Sequence, residues 1–173
     1  MTTLVLTVIG ADRAGLVKAL ADVVTEHGGN WERSHLAQLA GKFAGMVEVS
    51  VPASRSEELQ AALRPLHGML EVEVQPGSGD DRSAQRDVVV ELVGNDHPGI
   101  VRAVSGVLAE HGLSVAELET TTREAPMAGG RLFEARAVVA LSQGADVGEL
   151  RAALEELASE VMVDLSVEDL TAQ

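Results

Sequence analysis

Apolar and polar positions follow two periods along this chain, and the same succession of periods occurs twice. Leu4-Val5-Leu6-Thr7-Val8-Ile9 is an apolar, β-branched run bounded by Gly10, which predicts a strand. Beyond it Leu16, Val17, Leu20, Val23 and Val24 recur at the spacing of one stripe of an amphipathic helix. Gly28 is placed to end that helix in a left-handed cap. Two more strands are expected over 30–39 and 43–51, joined tightly at Ala40-Gly41-Lys42. A second helix is expected from Ser54, where Glu57 three residues on makes a capping box, with the stripe Leu59, Ala62, Leu63 and Leu66. Alternation over 70–74 marks the last strand.

The second half repeats this order. Gly10 to Gly28 and Gly94 to Gly112 share nine of nineteen positions at a constant offset of 84. That helix carries Ile100, Val101, Val104, Val107 and Leu108, and Pro98 suits its first turn. The following hairpin, 114–123 and 132–141, is longer by about six residues, visible as 124–130, and the offset grows to 90. Asp146 with Glu149 resembles a second capping box, ahead of Leu150, Ala153, Leu154 and Leu157, and a strand is expected over 161–167. Two copies are too few for a solenoid, so the chain reads as tandem modules: 1–75, a linker over 76–86, and 87–173. The linker is rich in Gly, Ser and charge and has no apolar periodicity.

The order β-α-β-β-α-β, twice, is the split βαβ pattern. The fold class is therefore α+β: two tandem ferredoxin-like βαββαβ modules, each an antiparallel four-stranded sheet carrying two helices on one face. The first strands are apolar on both sides, with Val5 and Ile9 in one and Val89 and Val93 in the other. A half-exposed sheet should alternate, so the second face is expected to be covered or the sheets joined edge to edge.

Charge narrows the function. The chain has 13 Lys+Arg against 27 Asp+Glu, a net −14, and only three aromatic residues, Trp31, Phe43 and Phe133. Nucleic-acid binding needs clustered cations and, for single strands, stacking rings, and neither is here. The acidity is uneven. Residues 1–76 hold six cations and nine anions, net −3, whereas 88–173 hold five and fifteen, net −10. That surface suits a basic protein partner, or simply keeps the chain soluble. The absence of Cys excludes thiol nucleophiles and Cys-based metal sites. No run approaches the roughly 20 apolar residues that cross a bilayer, and no signal peptide is visible, so a cytoplasmic protein without membrane contact is expected.

The most distinctive segment is the loop Gly-x-Asp-x-(Ala/Pro)-Gly-(Leu/Ile)-Val between first strand and helix, present in both copies. A helix N-terminus leaves N–H groups unpaired and carries partial positive charge, which suits a carboxylate. Gly15 and Gly99 admit close approach, and Asp12 and Asp96 suit an ammonium group. Together these would hold an amino acid. The competing reading makes Asp12 and Asp96 ordinary N-caps.

These loops, with Gly-Gly-Asn-Trp-Glu-Arg-Ser in the first copy and His-Gly-Leu-Ser-Val-Ala-Glu-Leu in the second, resemble ACT domains over nearly the whole chain. Tandem ACT modules without an attached enzyme are most similar to the glycine cleavage system transcriptional repressor family. The resemblance implies a non-catalytic sensor of a small amino acid, of glycine or serine type. It implies a ligand held between modules by the first strand–helix loop and the start of the second strand. Carried over residue by residue, the candidates are Asp12, Ala14, Gly15, Leu16 and Asn30 in the first copy. In the second they are Asn95, Asp96, Pro98, Gly99, Ile100 and Ser114. Ala14 stands where the family usually has Pro, and Ser114 stands where the first copy has Asn30, so the two sites are expected to differ in affinity. The resemblance also implies control of a partner without direct DNA contact, and a homo-oligomer. A detached regulatory subunit of a metabolic enzyme and a purely structural dimerisation module are the alternatives. No cofactor, metal or catalytic residue is expected.

The remaining features read as structural. His27 and His111 are repeat-equivalent and suit the negative end of a helix. His35, His67 and His97 lack metal-ligand spacing. Ser105-Gly106 falls within a helix rather than a nucleophile elbow, and Gly77-Ser78-Gly79 is not a phosphate loop. Trp31 is expected to anchor the core or wall the pocket, and Met127 to lie at the tip of the insertion.

Overall fold

In the computed structural model the first apolar run extends to a ten-residue strand, β1 (Thr2–Ala11). The structure describes residues 1–66, 68–77, 86–125, 129–141 and 146–169, so His67, Ser78-Gly79 and Met127 lie outside the described residues. After β1 come α1 (Leu16–Glu26), β2 (Asn30–Leu39), β3 (Lys42–Val51), α2 (Ser56–Leu63) and β4 (Glu71–Pro76). The second copy gives β5 (Arg86–Asn95), α3 (Ile100–Glu110), β6 (Ser114–Glu124), β7 (Arg131–Leu141), α4 (Val147–Val161) and β8 (Val163–Asp169). The chain divides into two compact units, Met1–Asp80 and Asp81–Gln173.

Each unit is one antiparallel four-stranded sheet, in the orders β2-β3-β1-β4 and β6-β7-β5-β8. The first strand of each copy is central, so its inward residues meet both neighbours and the helices. Leu4, Leu6 and Val8 pack with Val47, Val49 and Val51 beneath Leu16, Leu20, Val24, Leu59 and Leu63. Each such side chain contributes about 1.5–3 kcal/mol on burial, so this aliphatic core needs few rings. In the second unit Val88, Val90, Val139, Leu108, Leu150 and Leu154 form the equivalent layer.

The helix stripes are narrower than the periodicity predicts. Val17 and Val101 are 46% and 42% exposed, because the i, i+4, i+8 row of each helix faces the sheet, with Val23 and Val107 packed only partly against it. Several local expectations are also corrected. The Ser54 capping box does not form: a 3-10 turn over Ala53–Arg55 precedes α2, and no side chain caps either element. In the second copy Asp146 does cap α4, its carboxylate accepting the Gly148 N–H at 2.7 Å. Val161 closes α4 rather than opening a strand, and Met162 turns the chain in a left-handed conformation. Pro98 lies one residue before the N-cap of α3 rather than inside its first turn. Lys42 belongs to β3, which leaves a two-residue turn, Ala40-Gly41, with both φ positive, the geometry that suits hairpin twist. Pro76 and Arg86, read as linker, end β4 and start β5.

Gly28 and Gly112 follow α1 and α3 with φ near 70° and 67°, as the left-handed cap requires. On the faces away from the helices Ile9, Met46 and Val93 are exposed while Val89 is buried, so the sheets' second faces are only partly covered.

Candidate ligand loops and edge strands

The two strand–helix loops share one conformation. Gly15 and Gly99 occupy the N-cap positions of α1 and α3 with φ of 91° and 100°, and no side chain caps either helix. Glycine is needed here for the backbone rather than for room, since an added Cβ would meet nothing within 4 Å at either position. The capping reading of Asp12 and Asp96 is thereby overturned. Their backbone N–H groups instead donate to the hairpin turns, Asp12 to the Gly41 carbonyl at 3.0 Å and Asp96 to the Arg131 carbonyl at 2.8 Å. These bonds fasten the loop to the neighbouring hairpin, and both aspartates are exposed residues.

The loops differ in charge. Arg131 Nε lies 3.8 Å from an Asp96 carboxylate oxygen, and its guanidinium also donates to the Thr122 hydroxyl. At the matching place in the first unit stands Gly41, with no side chain to offer Asp12. Asp12 is therefore the more open acceptor for an ammonium group. Leu16 and Ile100 are buried in the two cores, so only their backbone N–H groups face the loop. Ala14 and Pro98 precede the glycines at exposed positions. His97 Nε2 lies 3.3 Å from the Val161 carbonyl oxygen, which ties the second loop to the end of α4. Asn95 lines a separate cleft of about 430 Å³ with Ser159 and Asp164; the corresponding cleft in the first unit, about 260 Å³, carries Lys42 and Glu71.

Asn30 opens β2 beside a β-bulge at Trp31/Arg33. Its amide donates to Glu32 Oε1 at 3.0 Å, and the Ser50 hydroxyl donates to the same oxygen at 2.5 Å. The Ser50 hydroxyl first and the Asn30 amide second hold the Glu32 carboxyl below its ordinary range. The second unit repeats the bulge, at Val115/Glu117, but not the chemistry. Ser114, Ala116 and Ala140 replace Asn30, Glu32 and Ser50.

Asp12 and Asn30 do not converge within one unit. Ala11 pairs with Lys42, and Asn30 pairs with Ser50 eight positions further along β3. At about 3.4 Å per residue the two segments are about 27 Å apart, at opposite ends of the sheet. The same holds for Asn95, opposite Leu132, and Ser114, opposite Ala140.

Trp31 packs against the first core. The matching residue of the second unit, Val115, leaves a small apolar cavity of about 30 Å³ between α3 and β6, bordered by Val101, Ser105 and Leu118. The Trp31/Val115 difference is visible in the repeat at offset 84, a signal the motif reading passed over. His27 and His111 act structurally, each with Nδ1 within 2.9 Å of a carbonyl oxygen one turn back. Among the described residues no group of three or more His, Asp or Glu is arranged to hold a metal, and no helix is long and apolar enough to cross a membrane.

Two split-βαβ sheets with duplicated, uncapped helix starts make a pair of ferredoxin-like modules. The chain belongs to the ACT-domain family: ACT domain models match residues 2–76 and 88–159. The fold is similar to that of an unknown protein from Galdieria sulphuraria, at 32% identity and a TM-score of 0.88, over 98% of this chain and 99% of that one. It is also similar to a candidate glycine cleavage system transcriptional repressor, at 19% identity and a TM-score of 0.71, over 98% and 97% of the two chains, a likeness of fold. A UPF0237 protein of Methanococcus maripaludis is 36% identical over 83 residues, 47% of this chain and 86% of that protein.

Proposed function

We propose that this chain is a non-catalytic regulator that binds a small amino acid, of glycine or serine type, and passes its occupancy to a partner protein. The observation that carries the reading is the duplicated loop at Gly15 and Gly99. In each, a helix start with no side-chain cap follows an exposed aspartate, Asp12 or Asp96. The ligand carboxylate takes the helix end, and its ammonium group takes the aspartate. Ala14, Leu16, Pro98 and Ile100 frame the loops and contribute backbone only.

The Asn30 and Ser114 ends belong to the same ligand when a second module, of this chain or of another copy, brings the far end of its sheet to the loop. Asn30 offers an amide there, already oriented by Glu32, while Ser114 offers a hydroxyl without that support. A loop completed by Asn30 is accordingly the tighter site. Regulation requires that the ligand favour one association state over another, since equal affinity for both would shift nothing.

The partner is a protein rather than nucleic acid, consistent with a net charge of −14. Transcriptional control of amino-acid metabolism through such a partner is the reading that the likeness to the candidate repressor favours.

Titration calorimetry with glycine, serine and branched-chain amino acids tests the reading. Binding is expected, and D12N and N30A are expected to weaken it while the fold stays intact. An absence of heat and of thermal shift at millimolar ligand defeats it. Capture of partners with and without amino acid, read by mass spectrometry, separates a transcriptional regulator from a metabolic enzyme as the target.

A further inference from the structure

The bulge at the start of β2 inserts one residue, Glu32, that has no position opposite it on β3. The next residue, Arg33, stands opposite Glu48 and bridges it at 2.8 Å. Glu32 reaches back instead to Asn30 and Ser50, which face each other across the two strands. Both donate to one carboxyl oxygen, Oε1, the Asn30 amide at 3.0 Å and the Ser50 hydroxyl at 2.5 Å. The bulge in β6 has Ser114, Ala116 and Ala140 at the three places, so the whole fixture is missing from the second unit. An ionised carboxylate only accepts hydrogen bonds, so it decides which end of an asparagine amide faces it. Nδ2 turns to Glu32, and Oδ1, at the other end of the planar amide, turns away. The Ser50 and Asn30 bonds favour the ionised carboxylate, which keeps this orientation in place at neutral pH.

We propose that Glu32, itself held by Ser50, is the positioning residue of the amino-acid site, fixing the Asn30 amide so that Oδ1 accepts an N–H of the ligand's ammonium group. This rests on the amino-acid reading of the Asn30 end. An exposed asparagine with no such neighbour presents either end of its amide, and a ligand that needs one end must bear the cost of ordering it. Here the ordering is done before the ligand arrives. An ammonium group has three N–H donors, so the neutral Asn30 Oδ1 serves it beside the charged carboxylate of the loop. Ser114 in the second unit carries a hydroxyl that both donates and accepts and has neither a carboxylate nor a serine to set it. That end therefore makes no choice between an ammonium group and a carboxylate. E32Q keeps the size of the side chain but offers Asn30 an amide with both a donor and an acceptor end, which releases the Asn30 amide to either orientation.

The experiment is a calorimetric titration of the full chain with glycine, for wild type, N30A, E32Q, S50A and E32Q/N30A. Asn30 and Glu32 are exposed, so the fold is expected to stand in their variants, and Trp31 fluorescence with circular dichroism confirms it in each. E32Q should weaken binding about tenfold, and S50A less but in the same direction. E32Q/N30A should bind no more weakly than N30A, because Glu32 acts only through Asn30. A Glu32 that merely attracted the ammonium group by its charge would weaken binding in the N30A background too, and that result overturns the proposal. A second readout needs no ligand: the Asn30 side-chain amide resonances should shift in E32Q and in S50A, and resonances that stay in place in both overturn it as well. Equal glycine affinity of wild type and E32Q, with N30A weakened, removes the positioning role and leaves the amino-acid reading standing. Glycine that does not bind the wild type defeats that reading and this role with it.

Discussion

Gly45 offers the sharpest test of how the first sheet is built. It lies in the middle of β3, paired with Val8 on one side and Leu36 on the other. Its φ is 154°, and a Cβ there would lie 2.0 Å from the His35 carbonyl oxygen and 2.8 Å from the Leu36 Cα. Contacts under 3.0 Å are essentially never seen for real Cβ atoms, and the obstructing atoms are backbone, which cannot swing aside. G45A must therefore strain this φ, at about 1–3 kcal/mol. It must also push β2 away, losing one or two ladder hydrogen bonds at about 1 kcal/mol each. A loss of about 3–4 kcal/mol follows, a large part of the stability of a small domain. It lowers the melting temperature by roughly 15 °C. The matching residue of the second unit is Ala135, paired with Leu92 and Thr120, so that sheet accepts a Cβ in the same place. A135G should cost about 0.5–1 kcal/mol, the ordinary penalty of glycine in a strand. Trp31 is the only tryptophan and lies in the first unit, so its fluorescence during urea unfolding follows that unit, while circular dichroism follows both. The reasoning is refuted if G45A leaves the Trp31 transition within about 1 kcal/mol of wild type, or if A135G is the more damaging change.

Other outcomes follow from the same geometry. L154A empties a fully buried position and should cost about 2–5 kcal/mol, seen by circular dichroism in the second unit while the Trp31 transition holds its place. D146A removes the one side-chain cap among the described α-helices and should cost about 1 kcal/mol by the same assay. The Glu32 carboxyl is held below its ordinary value of 4.5, so its contribution is present above that value and is lost as pH falls through the lowered one. S50A should raise the Glu32 titration, followed by NMR, more than N30A does, because the Ser50 hydroxyl is the larger cause.

The fold was largely legible in the sequence because its signals are periodic and duplicated. The β-branched run at Leu4–Ile9 and the Leu16, Leu20, Val24 row each follow from spacing, and the second copy repeats them. The errors fall at element ends. Ser54 is a good capping residue by type, but the chain enters α2 through a 3-10 turn that spends those positions otherwise. Val161 looks like strand because it is β-branched, yet α4 runs on until Met162 turns left-handed. Of the candidate site, the loops could be read, but two things could not. A positive φ at the N-cap displaces Asp12 and Asp96 from the capping role, and that depends on a backbone angle no residue pattern states. The distance between Asp12 and Asn30 depends on strand order, since β1 and β2 run parallel with β3 between them.

That separation alters what a binding curve would mean. Where the sheet end that completes the site comes from a second copy of the chain, the protein is itself a co-reactant. Half-saturation would then fall as the chain becomes more concentrated, because each bound molecule also fastens two chains. Dilution alone would empty the site at constant amino acid. A cell carrying such a sensor would set its threshold partly through how much of the sensor it makes.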